Sequence, residues 1–315
     1  MEPRLAVTPG DPRGVGPEVA DHAIRRFRET HPTADLVVMG PDGPLDLDDL
    51  SELADEHRAD DDDVAAGTVA ARSIERAVAM TRTGEVHAII TAPLHKPSLH
   101  AAGWPVPGQT EMLARLCDVE HVGMLMAAER TRLGSALRVL LVTTHLPLRD
   151  VPRAVPRERI VDQVTLLHRS LESDWDIPRP RIGLCGLNPH ASDGGLFGDE
   201  EAKVFAPALA SLRSAGIPTA GPLPADTVFS RALSGDFDAV AAPYHDVGMA
   251  AFKTVSFGSG VNVTLGLPFV RTSPDHGTAF DIAGRRRADA SSMMEALTLA
   301  HRLANNRFDT FPADV

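Results

Sequence analysis

Short apolar segments alternate with longer amphipathic segments along most of this chain, and this alternation limits the folds open to it. Several of the short segments are apolar at every position, as in strands that helices cover on both faces. The predicted strands are Leu5–Thr8, Leu36–Met39, Ala88–Thr91, Gly123–Ala127, Leu137–Thr143, Ile182–Gly186, Ala239–Ala242 and Val261–Leu265. Strands that alternate with helices predict an α/β fold with a largely parallel sheet.

The segments between the strands have helical periodicity. Apolar residues recur at three- and four-residue spacings in Val64–Arg82, and similar stripes occupy Glu158–Ser173 and Asp199–Ser214. The last of these is followed by Gly216 and Pro218, a pair typical of a helix C-terminus. Ligands of α/β folds bind at the carboxyl ends of strands, so residues that directly follow a strand are the first candidates for function.

Composition excludes several classes of protein. With 315 residues the chain is long enough for two domains, and its net charge of −12 argues against a nucleic-acid or anionic membrane partner. No apolar run is long enough to span a bilayer, and the N-terminal residues lack the plan of a signal peptide. Cys117 and Cys185 stand alone, as is typical of a reducing compartment. We therefore expect a cytoplasmic location.

Three histidines each follow a predicted strand: His145, His190 and His245. Neutral imidazole is a common metal ligand, and three of them leave coordination positions open for water or substrate. The alternative for each one singly is a hydrogen-bonded loop residue. Asp226 and Asp246 lie near similar turns and are each interpreted as a further ligand, as a group that orients a histidine, or as a helix cap.

Two further segments are candidates for binding polar ligands. The turn from Thr8 to Glu18 is rich in glycine but is not G-x-G-x-x-G, so the ordinary dinucleotide fingerprint is absent and a purely structural turn is an equal alternative. Lys253, Asn262 and Arg271 offer two cations and an amide to a phosphate or carboxylate, the alternative being ordinary surface charges.

Two helix starts complete the set of candidates. His276 to Ala279 is predicted as a turn leading into a helix, which suits backbone capture of a polar ligand. Gln109 and Thr110 open a predicted apolar helix, either as its cap or as a polar binding edge.

Taken together, these segments resemble the 4-hydroxythreonine-4-phosphate dehydrogenase (PdxA) family of vitamin B6 biosynthesis. The resemblance runs nearly end to end through TPGDPRGVGPE, TAPLHK, GQTE, TTHLPLRD, GLNPHASDGG, GPLPADT, YHD and GVNVTLGLPFVRTSPDHGTAFDIAGR. The first and last motifs also resemble the wider β-decarboxylating dehydrogenases, which include the isocitrate and isopropylmalate dehydrogenases. That likeness accounts for a nicotinamide enzyme without G-x-G-x-x-G.

The resemblance implies a role for particular residues. It makes His145, His190 and His245 ligands of one divalent metal (Zn, Mg, Co or Mn), in a site shared across a homodimer interface. The substrate-binding residues that it implies are Gln109, Thr110, Lys253, Asn262 and Arg271. Lys253 and Asp246 become catalytic candidates, Lys253 as a proton carrier if burial depresses its pKa. The predicted NAD or NADP segment is Asp275, His276, Gly277 and Thr278.

The resemblance also implies a domain plan. It consists of two α/β domains with largely parallel sheets and an active-site cleft between them, as in isocitrate and isopropylmalate dehydrogenases. Residues 1–125 and 275–315 would form one domain, and residues 126–274 would form a central domain that carries the metal ligands.

The implied reaction is NAD(P)- and metal-dependent oxidation and decarboxylation of 4-phosphooxy-threonine to 3-amino-2-oxopropyl phosphate and CO2. Two positions depart from the family: Gln109 stands where a histidine is usual, and Val247 where a glutamine is usual. Gln109 is an implied substrate contact and Val247 removes a polar group near the site, so 4-phospho-threonate and 4-phospho-erythronate remain alternative substrates. A metal-dependent hydrolase and a non-catalytic metabolite-binding protein are rivals from other classes.

Overall fold

A computed structural model describes residues 2–58 and 62–310, and the chain divides into two compact units. The first unit is Met1–Glu120 with Leu267–Val315, and the second is His121–Gly266. The predicted domain boundary after residue 125 falls inside the strand Gly123–Ala128. The predicted boundary after residue 274 falls at the end of the strand Val270–Pro274. Residues 311–315 of the predicted first domain lie outside the described residues.

The strands of the first unit follow the order β3-β2-β1-β4-β11. All neighbours are parallel except β3, which runs antiparallel to β2. The strands are β1 (Leu5–Thr8), β2 (Leu36–Met39), β3 (Pro44–Leu45), β4 (Ala88–Thr91) and β11 (Val270–Pro274). The helices are α1 (Gly16–Thr30), α2 (Asp49–Arg58), α3 (Asp63–Arg82), α4 (Lys96–Ala101), α5 (Gln109–Cys117) and α11 (Ser291–Thr310).

Helix α3 shows how sequence sets the packing of the first unit. The Asp62 carboxylate caps the helix by accepting hydrogen bonds from the N–H groups of Val64 and Ala65 at 2.8 and 3.0 Å. Most residues of its buried face are small, which lets α4 approach closely. At Gly67 the approach is so close that a Cβ atom would lie 1.9 Å from the Ser98 carbonyl oxygen.

The strands of the second unit follow the order β10-β5-β6-β9-β7-β8. β5 is antiparallel to both of its neighbours, whereas β6, β9, β7 and β8 are parallel. The strands are β5 (Gly123–Ala128), β6 (Leu137–Leu141), β7 (Ile182–Cys185), β8 (Thr219–Leu223), β9 (Ala239–Ala242) and β10 (Val261–Leu265). The helices are α6 (Val151–Ala154), α7 (Arg157–Ser173), α8 (Ala206–Ser214), α9 (Ala225–Leu233) and α10 (His245–Ser256).

The mostly parallel α/β prediction is confirmed, and all eight predicted strands form. Two helix predictions need correction. The segment predicted to be helical from Asp199 contains a π-helical turn at Glu201–Phe205 before α8 begins. The helix predicted after Thr278 is absent, because Ala279, Gly284 and Arg286 have φ of +42°, +72° and +52°, which interrupts a right-handed helix. Among the described residues, no helix is both long and apolar enough to cross a membrane.

Candidate active-site residues

Three neighbouring parallel strands of the second unit each lead into a histidine. His145 follows β6, His245 follows β9, and His190 follows β7. Because β9 lies between β6 and β7 and all three run parallel, their carboxyl ends lie at one edge of the sheet.

His145 and His245 lie side by side, with ring centroids 5.4 Å apart. Hydrogen bonds across the ends of the two strands fix this approach: Val142 N–H donates to the Ala242 carbonyl at 2.9 Å, and Thr143 Oγ1 donates to the Pro243 carbonyl at 2.7 Å. Two imidazoles on one tetrahedral zinc ion have centroids about 5 Å apart, given Zn–N distances of about 2.0–2.1 Å. The spacing of this pair therefore fits two ligands of one ion.

Asp246 sets which nitrogen of His245 is available. Its Oδ1 lies 2.7 Å from His245 Nδ1, which leaves Nε2 to face a ligand. The pair borders an open pocket of about 160 Å³, whose other walls include Leu146 and Tyr244. A carboxylate behind a histidine is the usual partner of a metal-bound imidazole.

His190 lies on a backbone segment of unusual conformation. It is the first of five successive residues with left-handed φ, between +44° and +69°, that end at Gly194. Each residue with a Cβ pays roughly 1–2 kcal/mol for this conformation, so strain is stored here. No group of three or more His, Cys, Asp or Glu side chains arranged to hold a metal occurs in residues 2–58 and 62–310. A single chain thus brings His145 and His245 together but not all three histidines.

The carboxylate of Glu201 lies beneath the segment that leads to His190, and sequence reasoning missed it. Its Oε1 accepts the N–H groups of Leu187 and Asn188 at 2.8 and 2.7 Å, and its Oε2 accepts Asn188 Nδ2 at 2.9 Å. Burial alone would raise the pKa of Glu201, but the hydrogen bonds from Asn188 and Leu187 outweigh it and lower the pKa. The acidic pair at positions 200 and 201, close behind the histidine motif, was the available signal.

In the first unit, Arg271 and Gln109 are in contact. Arg271 is 3% exposed, and its Nη2 donates to Gln109 Oε1 and, at 2.7 Å, to Thr91 Oγ1. Gln109 Nε2 donates to the Ala92 carbonyl at 2.9 Å. Burial lowers the pKa of Arg271 to about 10, against the opposing charge of Glu111, so the guanidinium is cationic at neutral pH. Thr91 was not expected; a polar residue ending an apolar strand was its signal.

The remaining predicted substrate residues lie in different surroundings. Thr110 is half-buried in the first turn of α5. Asn262 lies on β10, and among the described residues its buried Oδ1 has no hydrogen-bond partner. Lys253 is exposed on α10. The burial on which its proposed proton transfer depends is therefore not provided by a single chain.

The predicted cofactor segment is a loop after β11 that packs on the glycine-rich turn after β1. Val15 N–H donates to the Thr278 carbonyl at 2.9 Å, and a Cβ on Gly14 would lie 2.8 Å from that oxygen. Asp275 N–H donates to Ser292 Oγ at 3.0 Å, whereas His276 and Gly277 are exposed. Glycine at position 14 thus serves a close backbone contact within the first unit.

Fold and site together define an α/β enzyme with polar groups collected at the carboxyl ends of its strands. The family model described as "Pyridoxal phosphate biosynthetic protein PdxA" matches residues 18–300. The chain is 40% identical to the 4-hydroxythreonine-4-phosphate dehydrogenase of Geobacter metallireducens, over 96% of each protein. It is 41% identical to the D-threonate 4-phosphate dehydrogenase of Cupriavidus necator, over 97% of this chain and 98% of that protein.

Solved structures agree. The 4-hydroxythreonine-4-phosphate dehydrogenase of Klebsiella pneumoniae is 36% identical and superposes with a TM-score of 0.81, covering 96% of this chain and 98% of that chain. An isocitrate dehydrogenase from Methylococcus capsulatus, 14% identical with a TM-score of 0.50, shares the fold alone. The chain belongs to the PdxA family, whose members are named as dehydrogenases that act on a CH–OH donor. Membership implies a dehydrogenase cofactor and a divalent metal in general terms.

Proposed function

We propose that the chain oxidises and decarboxylates 4-phosphooxy-threonine to 3-amino-2-oxopropyl phosphate and CO2, with NAD or NADP as the oxidant. The observation that carries this proposal is the His145–His245 pair, with Asp246 behind it, in a chain that aligns end to end with dehydrogenases of phosphorylated hydroxy acids. Both the unpaired cysteines and a nicotinamide reaction suit the cytoplasm.

Arg271 would bind an anionic group of the substrate, either phosphate or carboxylate. The guanidinium is buried and donates hydrogen bonds to Gln109 and Thr91. Both acceptors are neutral, so they orient the guanidinium without neutralising its charge. Thr110, Asn262 and Lys253 would complete the substrate contacts, with the buried Asn262 Oδ1 accepting a hydrogen bond from the substrate.

His145, His190 and His245 would hold one divalent ion, of which zinc, magnesium, cobalt and manganese are the candidates. When bound, such an ion lowers the pKa of the substrate alcohol and stabilises the enolate charge left by loss of CO2, while the nicotinamide accepts the hydride. Asp246 holds His245 with Nε2 turned to the ligand side. Asp275 to Thr278 would contact the cofactor, and Lys253 would return a proton to the decarboxylated carbon.

The ligand set would be completed across a homodimer, with His190 supplied by the partner. Large exposed apolar residues occur within seven residues after two of the histidines: Leu146 and Leu148 follow His145, and Leu196 and Phe197 follow His190. Exposed apolar side chains beside an incomplete ligand set favour a covered surface.

Complementation between two inactive variants tests this shared site. A heterodimer of His145→Ala and His190→Ala would keep one intact site, so a random mixture should regain about one quarter of wild-type activity. If all three ligands came from one chain, the mixture would stay inactive.

A second candidate function is the same chemistry on 4-phospho-threonate or 4-phospho-erythronate. Gln109 favours it, because glutamine replaces a histidine beside Arg271 and cannot carry a proton. The relatives named for the two substrates are about equally similar, at 40% and 41% identity. Comparing kcat/KM for the amino acid and the two hydroxy acids separates the candidates. A preference for a hydroxy acid would overturn the vitamin B6 assignment and leave the reaction type intact.

A further inference from the structure

The backbone around His190 has a conformation that contacts with other residues must hold in place. His190, Ala191, Ser192 and Asp193 have φ of +52°, +53°, +64° and +44°, a conformation that L-residues adopt only when their surroundings impose it. The following residues, from Asp193 to Phe197, are exposed. On the carboxyl side, the Ser192 carbonyl accepts the N–H groups of Leu196 and Phe197, the latter at 3.2 Å. The side-chain anchor of the turn lies on the amino-terminal side.

That side is tied to Glu201. Its buried carboxylate accepts three hydrogen bonds, from Leu187 N, Asn188 N and Asn188 Nδ2, and the Asn188 carbonyl in turn accepts the N–H of Ala191 at 3.1 Å. Gly186 lies between Ala191 and the Glu201 carboxylate: a Cβ atom at position 186 would be 3.1 Å from Ala191 and 3.3 Å from Glu201 Oε1. Three donors converge on a group that only accepts, and a carboxylate is the side chain that satisfies them.

We infer that Glu201 is a positioning residue, which holds the left-handed turn and thereby sets the direction of the His190 imidazole for metal binding. This inference rests on the proposed role of His190 as a ligand. Glutamine at position 201 has nearly the same shape as glutamate, but an NH2 group replaces one of the two oxygens. That NH2 group would face an N–H donor and could not accept its hydrogen bond, so part of the anchor would be lost.

Asp238 provides a matched control at the opposite end of the same strands. Its carboxylate accepts the N–H of Arg181 at 2.7 Å and pairs with the Arg181 guanidinium, joining the residues that precede β9 and β7. Asp238→Asn therefore removes a carboxylate that accepts a backbone N–H in the same unit, without touching the carboxyl ends of the strands.

The test titrates Co²⁺ into the metal-free full-length chain and records the dissociation constant, the visible Co²⁺ spectrum and the melting temperature. We expect Glu201→Gln to weaken Co²⁺ binding by about 10–100-fold and to change the spectrum. Asp238→Asn should lower the melting temperature with Co²⁺ affinity unchanged. Wild-type affinity and spectrum in Glu201→Gln, or an equal loss of affinity in Asp238→Asn, would overturn the inference.

Two further variants keep the outcome decisive. If Glu201→Gln does not fold, Asn188→Ala keeps the two backbone donors to Glu201 and removes the side-chain hydrogen bonds from Asn188 to Glu201 and Glu200. It should weaken Co²⁺ binding in the same direction; unchanged binding would overturn the inference. His190→Ala separates the two proposals. Normal Co²⁺ affinity in His190→Ala would show that His190 is not a metal ligand. Weak Co²⁺ binding in His190→Ala together with normal binding in Glu201→Gln would overturn only the role of Glu201.

Discussion

Arg271 donates a hydrogen bond to Gln109 Oε1 across 162 positions of sequence. The glutamine amide is held from its other end by the Ala92 carbonyl, so its oxygen is fixed toward the buried guanidinium. The contact orients the cation and leaves its charge in place. This arrangement supports the proposal that Arg271 binds an anionic group of the substrate.

Replacing Gln109 by glutamate should impair substrate binding with little gain in stability. The new carboxylate would neutralise the buried Arg271, but it would lose the hydrogen bond to the Ala92 carbonyl and place a negative oxygen against it, so the free energy of unfolding should change by less than about 1 kcal/mol. The same neutralisation should raise the KM for a phosphorylated substrate by about 10–100-fold. Urea unfolding and steady-state kinetics measure the two effects. Gln109→Met, which adds no charge, is the control, and an unchanged KM in Gln109→Glu would remove Arg271 from the binding site.

Asp246 should affect metal affinity through His245. Asp246→Asn replaces the acceptor that faces His245 Nδ1 and should weaken binding of a divalent ion by about 10–100-fold. Competition with a chelator of known affinity measures the change. Glu172→Gln, which removes a carboxylate from helix α7 of the same unit, should bind the ion like the wild type. Equal affinities in Asp246→Asn and Glu172→Gln would contradict the assignment.

Gly67 should not tolerate alanine, although alanine is the better helix former by about 1 kcal/mol. The added Cβ would lie 1.9 Å from the Ser98 carbonyl oxygen, so α4 would have to move away from α3. We expect destabilisation by about 1–3 kcal/mol in urea unfolding. Gly277→Ala meets no atom within 4 Å and should be close to neutral. A stabilised Gly67→Ala variant would mean that the α3–α4 contact is looser than described.

The His301 imidazole should make the chain less stable in mild acid. Burial first, and then the nearby His31, lower its pKa below the ordinary 6.5, while Glu2 acts in the opposite direction. An unfolded chain takes up a proton as the pH falls through about 6.5, whereas the folded chain resists it, so stability falls with pH in that range. His301→Gln should reduce the loss of melting temperature between about pH 7.5 and about pH 5.5. The exposed His22→Gln is the control, and equal slopes in the two variants would contradict this account.

The strands were predictable where every residue is apolar, as in Leu36–Met39 and Ala239–Ala242. Three strands were not predicted: β3 has only two residues, and β8 and β11 have residues that are not those of a typical strand. β8 lies at the end of the strand order, contains Gly221 and Pro222 and is largely accessible to solvent. β11 is fully buried, although three of its residues are the polar Arg271, Thr272 and Ser273. Tertiary contacts, rather than local propensity, place these two in the sheet.

The candidate site could be predicted only in part for the same reason. Residue type and position after a strand single out His145 and His245, but their spacing depends on hydrogen bonds between β6 and β9 across about a hundred residues of sequence. The left-handed turn at His190 could not be predicted, because Ala191 and Ser192 have no preference for that conformation. The contact between Arg271 and Gln109 likewise depends on the pairing of β11 with β4.

The most direct test of the proposed function follows reduced nicotinamide by absorbance in reactions that contain the purified chain, NAD or NADP, a divalent ion and 4-phosphooxy-threonine. We predict reduction that stops when the ion is chelated, returns when it is restored, and is lost in His245→Ala. Release of inorganic phosphate without nicotinamide reduction would instead indicate a hydrolase. That result, or the absence of reduction with the ion still bound, would contradict the assignment of this chain as a dehydrogenase of 4-phosphooxy-threonine.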